Sequence, residues 1–195
     1  MALFTRRFIK DIFLIIVLGV SLYVLTHNPI THPTPQVTQG LWSIQLMQQP
    51  LVFGIAGHNY LVLRDSNNLI KEELHGLATD YSTGAWKYIG NDETDILKVW
   101  EFTGPHFYLA QKNYSGVTLS YGNEITITGI WHKALPCVNE INNLHIHYPP
   151  YGMNMRGDTE NSNSVAYTLT LCMGLNAEHL GLITPGWGKN LLDSR

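Results

Sequence analysis

The chain has 195 residues and a mass of 22.0 kDa, and only 14% of its residues are charged, against roughly 25% in an ordinary soluble domain. Five Trp, ten Tyr and six Phe give it enough apolar area to exclude intrinsic disorder, and two Cys with 17 unrepeating Gly exclude disulfide scaffolds and collagen. A formal charge of -3 with no basic run argues against a nucleic-acid partner.

At the N-terminus, Arg6, Arg7 and Lys10 precede an apolar run at 12–25, interrupted only by Gly19, Ser21 and Tyr23. A basic flank before an apolar core is the layout of a secretory signal or signal anchor. Fourteen residues fall short of the roughly 20 that span a bilayer, but Phe8, Ile9, Thr26 and His27 extend the run to a marginal span. The exit from the run has no small-x-small cleavage site and no Cys, which favours an uncleaved anchor over a cleaved signal. Residues 1–27 are therefore expected to be a cytoplasmic basic tip and transmembrane helix. Residues 28–40, with three Pro, form an extended linker, and 41–195 a domain on the periplasmic or extracellular side.

The body reads as strands first and a helix late. An apolar run at 51–56 ends in Gly57. A strand follows at 59–64, then a turn at Asp65-Ser66-Asn67-Asn68 and a returning arm at 69–77. A loop covers 78–84. Further strands are expected at 96–102, 117–121 and 124–131, the last because Ile125 and Ile127 alternate with Thr126 and Thr128. His145-Ile146-His147-Tyr148 reads as a short strand stopped by Pro149-Pro150. One soluble helix is expected at 162–173. Val165, Leu169, Cys172 and Met173 share one of its faces, Asp158, Glu160 and Asn161 load its start, and Gly174 ends it. Cys137 and Cys172 read as two buried thiols, with a disulfide as the alternative in an oxidising compartment.

The chemistry-bearing pattern is a His-bearing hairpin early and a polar helix start late. His58 follows Gly57 on one arm, His75 lies on the returning arm, and Asn161-Ser162-Asn163-Ser164 opens the helix. A nucleophile at a helix N-terminus gains from the dipole and from free backbone N–H groups, here those near Ser162 and Asn163. A base on a strand, oriented by a third polar group, completes the general triad logic. The bland alternative is that Asn161 and Ser162 only cap the helix and that His58 and His75 are structural.

At these residues the chain resembles the circularly permuted papain-like superfamily, which includes lecithin retinol acyltransferase-like proteins and PPPDE peptidases. There a His-bearing strand precedes a helix that opens with Asn-Cys-Asn-Ser or Asn-Cys-Glu-His. Gly57-His58-Asn59-Tyr60-Leu61-Val62 resembles that strand, and Asn161-Ser162-Asn163-Ser164 keeps the helix frame with Ser162 at the Cys position. The likeness covers about 30 residues. It implies a hydrolase or acyltransferase acting on an amide or ester, with Ser162 as nucleophile, His58 as base and His75 as orienter. A hydroxyl is far less acidic than a thiol, so Ser162 depends on a well-placed base.

Other features carry weaker signals. His145 and His147, at i and i+2 of a strand, could share a metal if His132, Glu140 or Asp158 supplied a third ligand. Asp80 could orient a His or simply start a loop. Trp187, bracketed by Gly186 and Gly188, reads as a plug at the core edge or as a binding loop, and Asn113-Tyr114-Ser115 matches the glycosylation pattern. The expectation is an α+β domain, an antiparallel sheet packed on one principal C-terminal helix behind an N-terminal transmembrane helix. It should carry no cofactor or metal, use the membrane as partner through its first helix, and act on a peptide, lipid or cell-wall substrate. The rival is a catalytically inactive envelope binding or scaffolding domain.

Overall fold

A computed structural model describes residues 34–36, 39–51, 54–109, 114–153 and 159–193. The expected tip and anchor at 1–27 lie outside them, as do Asn113 and Asp158. Among the described residues no helix is long and apolar enough to cross a membrane.

The domain is α+β. Six strands, β1 (Trp42–Leu51), β2 (Ala56–Arg64), β3 (Ile70–Thr79), β4 (Trp86–Lys87), β5 (Ile96–Thr103) and β6 (Ser115–Gly122), form one antiparallel sheet. Three α-helices follow, α1 (Glu124–His132), α2 (Ala134–Asn143) and α3 (Ser162–Cys172). The sheet order is β4-β3-β2-β1-β6, with β5 also on β3.

Successive side chains of a strand point to opposite faces, which divides the core in two. Leu61, Leu63 and Leu74 join Ile44, Leu46, Val165, Leu169 and Met173 in the main cluster beneath the helices. Tyr60 and Val62 face the other way, packing with Met47 and Leu109.

The hairpin turn is as the sequence predicts, with the Asn68 N–H donating to the Asp65 carbonyl at 2.9 Å, but the arms are longer than expected, β2 starting at Ala56 and β3 running on to Thr79 into the expected loop. Its two arms, however, pair only between 61–64 and 70–74. β5 runs along one edge of β3 from 72 to 79, so β2 and β4 must share the other edge, β4 taking only Ala78 and Thr79. Between them β2 and β3 part, and the start of α3 fills the gap. Asn163 Oδ1 accepts from the Asn59 N–H at 2.8 Å, and Asn163 Nδ2 donates to the Gly57 carbonyl at 3.1 Å. One step down the same edge, the Gly57 N–H donates to the Ile183 carbonyl and the Ile183 N–H to the Ile55 carbonyl. A side-chain amide thus stands where a neighbouring strand would be, and the backbone groups of β2 stay satisfied. On the β3 side the fit depends on Gly76, where a Cβ would lie 2.8 Å from Ser162 Cα and 2.7 Å from Val165 Cβ.

The expected strand at 124–131 is a helix, α1. Asn123 caps it by accepting from the Thr126 N–H at 2.9 Å, and the Thr128 hydroxyl donates back to the Glu124 carbonyl at 2.8 Å. Burial of Ile127 and Trp131, one turn apart, overrides the β-branched alternation, while Ile125 is 86% exposed. Neither α2 nor β1 is among the sequence-predicted elements, so the sheet packs on more than one helix. α3 starts at Ser162 as expected and ends one residue earlier than expected, with Met173 as its C-cap. Gly174 has φ +74° and donates to the Leu171 carbonyl, while the Leu175 N–H donates to the Thr170 carbonyl, a paired C-terminal cap.

Cys137 and Cys172 form a disulfide between α2 and α3, correcting the expectation of two thiols. A closed loop of this size, 35 residues apart, constrains the unfolded chain by about 3–4 kcal/mol.

The contact at Gly76 gives a direct test. Gly76→Ala should lower stability in urea by about 1–3 kcal/mol, because backbone and a β-branched side chain would have to move. In Gly129→Ala, with nothing within 4 Å and a helical site, stability should instead rise by up to about 1 kcal/mol. Equal effects at both positions would contradict the packing described.

Candidate functional site

The helix start is polar yet buried: Asn161, Ser162, Asn163 and Ser164 are 3%, 6%, 2% and 0% exposed. Such groups tolerate burial only when their hydrogen bonds are made. Asn161 Oδ1 accepts from the Asn163 N–H at 2.8 Å and the Ser164 N–H at 3.4 Å, and the Ser164 hydroxyl accepts from the Asn161 N–H at 3.1 Å, a capping box. Asn161 Nδ2 donates to the Gly152 and Pro185 carbonyls, and Asn163 Nδ2 also reaches Pro185. Gly186, at φ +82°, lies so close that a Cβ would sit 2.6 Å from Ser164 Oγ. The Gly-bracketed segment therefore clamps the helix cap. Trp187 is a plug, edge-on to Tyr167 at 5.4 Å and packed on the main core.

Every group of the cap is thereby committed except two on Ser162. Its N–H, one of the four that a helix start leaves open, has no partner among the described residues, and its hydroxyl faces the Tyr148 phenol. The Asn163 N–H is not free to hold an oxyanion, correcting the expectation for it, because Asn161 Oδ1 occupies it. Tyr148 is half-buried, its ring pressed against Gly90. Burial raises its pKa above the usual phenol value, although Ser162 pulls the other way. At neutral pH it is therefore a hydrogen-bond donor.

His58 and His75, chosen from the sequence, meet. His58 Nε2 lies 3.1 Å from His75 Nδ1, with the two rings nearly coplanar. Both point to the sheet face that carries Tyr60, and Tyr60 stacks on His75 at 4.5 Å between ring centres. Phe102 and Tyr108 meet the same ring edge-on at 5.6 and 4.9 Å. This aromatic enclosure desolvates the pair. Burial lowers the pKa of His58 from 6.5 to about 3, with His75 contributing, and burial alone takes His75 to about 3. Both rings are neutral at pH 7. His75 is 0% exposed and His58 6%, so His58 is the member nearer solvent.

His58 and the helix start are brought together by the backbone, because Asn163 bonds the two residues that flank His58 on β2. Among the described residues, Ser162 makes no hydrogen bond to either histidine.

Glu73 lies behind His75 and was not singled out in the sequence, where Lys71-Glu72-Glu73 looks like a solvated face. It is 0% exposed. Its Oε2 accepts from the Tyr108 and Leu109 N–H groups at 2.8 and 3.2 Å and sits 3.4 Å from His75 Nε2. Burial raises its pKa, opposed by those two N–H groups and by Arg64. Its i, i+2 relation to His75 on a strand was the signal available. Tyr148 was equally unmarked, inside the stretch read as a strand.

The other candidates do separate work. His145 has φ +48°, so His145 and His147 are not successive same-face positions of a strand. His147 Nε2 contacts the Glu93 carbonyl at 2.8 Å. Among the described residues no group of three or more His, Cys, Asp or Glu side chains is placed to hold a metal. Asp80 starts its loop, accepting from the Ser82 N–H and hydroxyl and from the Thr83 N–H, and pairs with Lys87 at 3.0 Å.

Comparison of the chain with protein-family models, curated proteins and solved structures finds no match.

The buried imidazoles predict an acid-labile fold. The unfolded chain protonates His near 6.5, whereas the folded pair resists to about 3. The folded state thus binds fewer protons between those limits, and stability should be full above pH 6.5 and fall as pH drops toward 3. Glu73, raised above its usual value, acts in the opposite sense above pH 4.5 and offsets part of the loss. At about 1.4 kcal/mol per pKa unit the net loss amounts to several kcal/mol. Urea midpoints measured from pH 7.5 to 4 should decline, and the decline should flatten in a His58→Gln/His75→Gln variant. A level profile for the unmodified chain would contradict the burial of the pair.

Proposed function

We propose that the domain is a serine-dependent acyl-transfer site, hydrolysing or transferring the acyl group of an amide or ester. The observation that carries this reading is the Nε2–Nδ1 contact between His58 and His75, on the strands against which a helix start packs whose Ser162 N–H has no partner among the described residues. In this reading His58 takes the Ser162 proton as the hydroxyl attacks the acyl carbon, and His75 holds the His58 ring. Negative charge develops on the former carbonyl oxygen. The Ser162 N–H and the Tyr148 O–H are its donors, aided by the dipole of α3. His58 then returns the proton to the leaving amine or alcohol, and water or a second acceptor releases the acyl group by the reverse sequence. His58 is neutral at pH 7, so its ring is in the form that accepts a proton, and charge developing on a bound substrate would have to raise its basicity from the value burial imposes. The two short motifs that resemble the permuted papain-like superfamily point to the same roles.

The disulfide supports an oxidising compartment. With the basic flank and apolar run at the N-terminus, it supports a domain on the exported side, tethered to the membrane, where a peptide, lipid or cell-wall substrate would be met.

One observation favours the rival reading. The polar groups at the helix start have structural work enough, in the capping box and the Asn163 bonds to β2, to account for their presence without catalysis. On that reading the domain binds or scaffolds and Ser162 is inert.

A fluorophosphonate probe separates the two. The acyl-transfer reading predicts covalent labelling that Ser162→Ala abolishes and that Tyr148→Phe slows by about 10²-fold, the scale for loss of one oxyanion donor. A correctly folded chain that is never labelled supports the binding domain.

A further inference from the structure

A neutral imidazole carries its proton on one of two nitrogens, and which one decides whether it can act as a base at a given atom. In the contact between His58 Nε2 and His75 Nδ1, one nitrogen donates and the other accepts. Nothing within the pair itself fixes the direction. The choice is made at the far side of His75, where Nε2 lies 3.4 Å from Glu73 Oε2. That oxygen is held in place by two backbone N–H groups, those of Tyr108 and Leu109, so the carboxylate cannot turn away.

If His75 carried its proton on Nδ1, its Nε2 lone pair would lie 3.4 Å from Glu73 Oε2, an oxygen already fixed as the acceptor of two N–H bonds, with both residues fully buried, where such repulsion is weakly screened. With the proton on Nε2, the positive end of that N–H bond lies on the side of the oxygen instead, an electrostatic contact at 3.4 Å that is not aligned as a hydrogen bond. His75 Nδ1 is then the acceptor, His58 must donate from Nε2, and His58 Nδ1 is left with its lone pair open.

We propose that Glu73 is a positioning residue that sets the tautomers of both histidines, through His75, and so presents His58 as a base at Nδ1. This inference rests on the acyl-transfer reading for its purpose, but the tautomers it assigns exist whether or not Ser162 reacts. Glu73 touches neither Ser162 nor any reacting atom in this account.

The test is long-range proton–nitrogen NMR of the full-length chain, labelled with 15N-histidine, in detergent at pH 7. The expected result is Nε2–H with bare Nδ1 for both His58 and His75. In Glu73→Gln the selection weakens and the two His75 nitrogens move toward a common, averaged shift. Fluorophosphonate labelling of Ser162 should slow by about 10–100-fold, the usual scale for losing a hydrogen-bonding group behind a reactive side chain. A wild-type His58 protonated on Nδ1 would overturn the proposal. So would a Glu73→Gln variant whose histidine signals match the wild type. If Glu73→Gln does not fold, the wild-type tautomers alone decide. If the wild type never labels, the acyl-transfer reading fails while the tautomer result still stands or falls on its own.

Discussion

The carboxamide of Asn163 against the open edge of β2 is the contact on which the site depends. Where β2 and β3 part, β2 exposes an N–H and a carbonyl that must be paired, because buried backbone groups left alone cost about as much as a lost hydrogen bond. Asn163 meets both from the second position of α3. This fixes the register of the helix against the strand to within one residue. Ser162 is then pressed over Gly76 on one side, with His58 between the two bonded residues on the other. An ordinary hairpin with arms paired throughout would leave no room for the helix start, and Ser162 would lie on the surface.

The same separation explains the electrostatics. His58, Glu73 and His75 all point to the face opposite the main core, where an apolar layer of Tyr60, Phe102 and Tyr108 shields them. Burial keeps the imidazoles uncharged, and a buried acid behind them is held by two backbone donors. The cap of α3 has a complementary economy. Asn161 consumes the Asn163 and Ser164 N–H groups, the Ser162 N–H has no partner among the described residues, and Tyr148 stands opposite the hydroxyl.

The legible parts of the sequence were those with local signals. The boundaries of α3 follow from Asn161 at its start and Gly174 at its end, and the hairpin turn from Asp65 to Asn68. His58 and His75 could be read as a pair because the two arms of one hairpin each carry one, although the arms part before either residue. The misreadings came from signals that tertiary contacts override. Ile and Thr alternate at 124–128 as in a strand, yet the Asn123 cap and the burial of Ile127 and Trp131 make a helix. Glu73 and Tyr148 could not be seen because nothing in Lys71-Glu72-Glu73, or beside His147, says that an acid or a phenol will be buried. The disulfide depends on α2, which was not anticipated, bringing Cys137 against α3. The choice between a swinging and a plugged Trp187 was settled by the cap at Gly186, a contact 22 residues or more from its partners in sequence.

The central proposal is that Ser162, at the positive end of α3, reacts with His58 across the gap where β2 and β3 part. Since the chain's two cysteines are joined in the disulfide, a Ser162→Cys variant would carry a single reactive thiol. Its iodoacetamide alkylation rate, followed against pH, reports the thiol's pKa. An imidazole partner and a helix N-terminus lower that value well below the ordinary 8.5 or so. The account predicts an inflection below about pH 7 that moves back up when His58→Gln is added. An inflection at or above about 8.5, unchanged by His58→Gln, would contradict it.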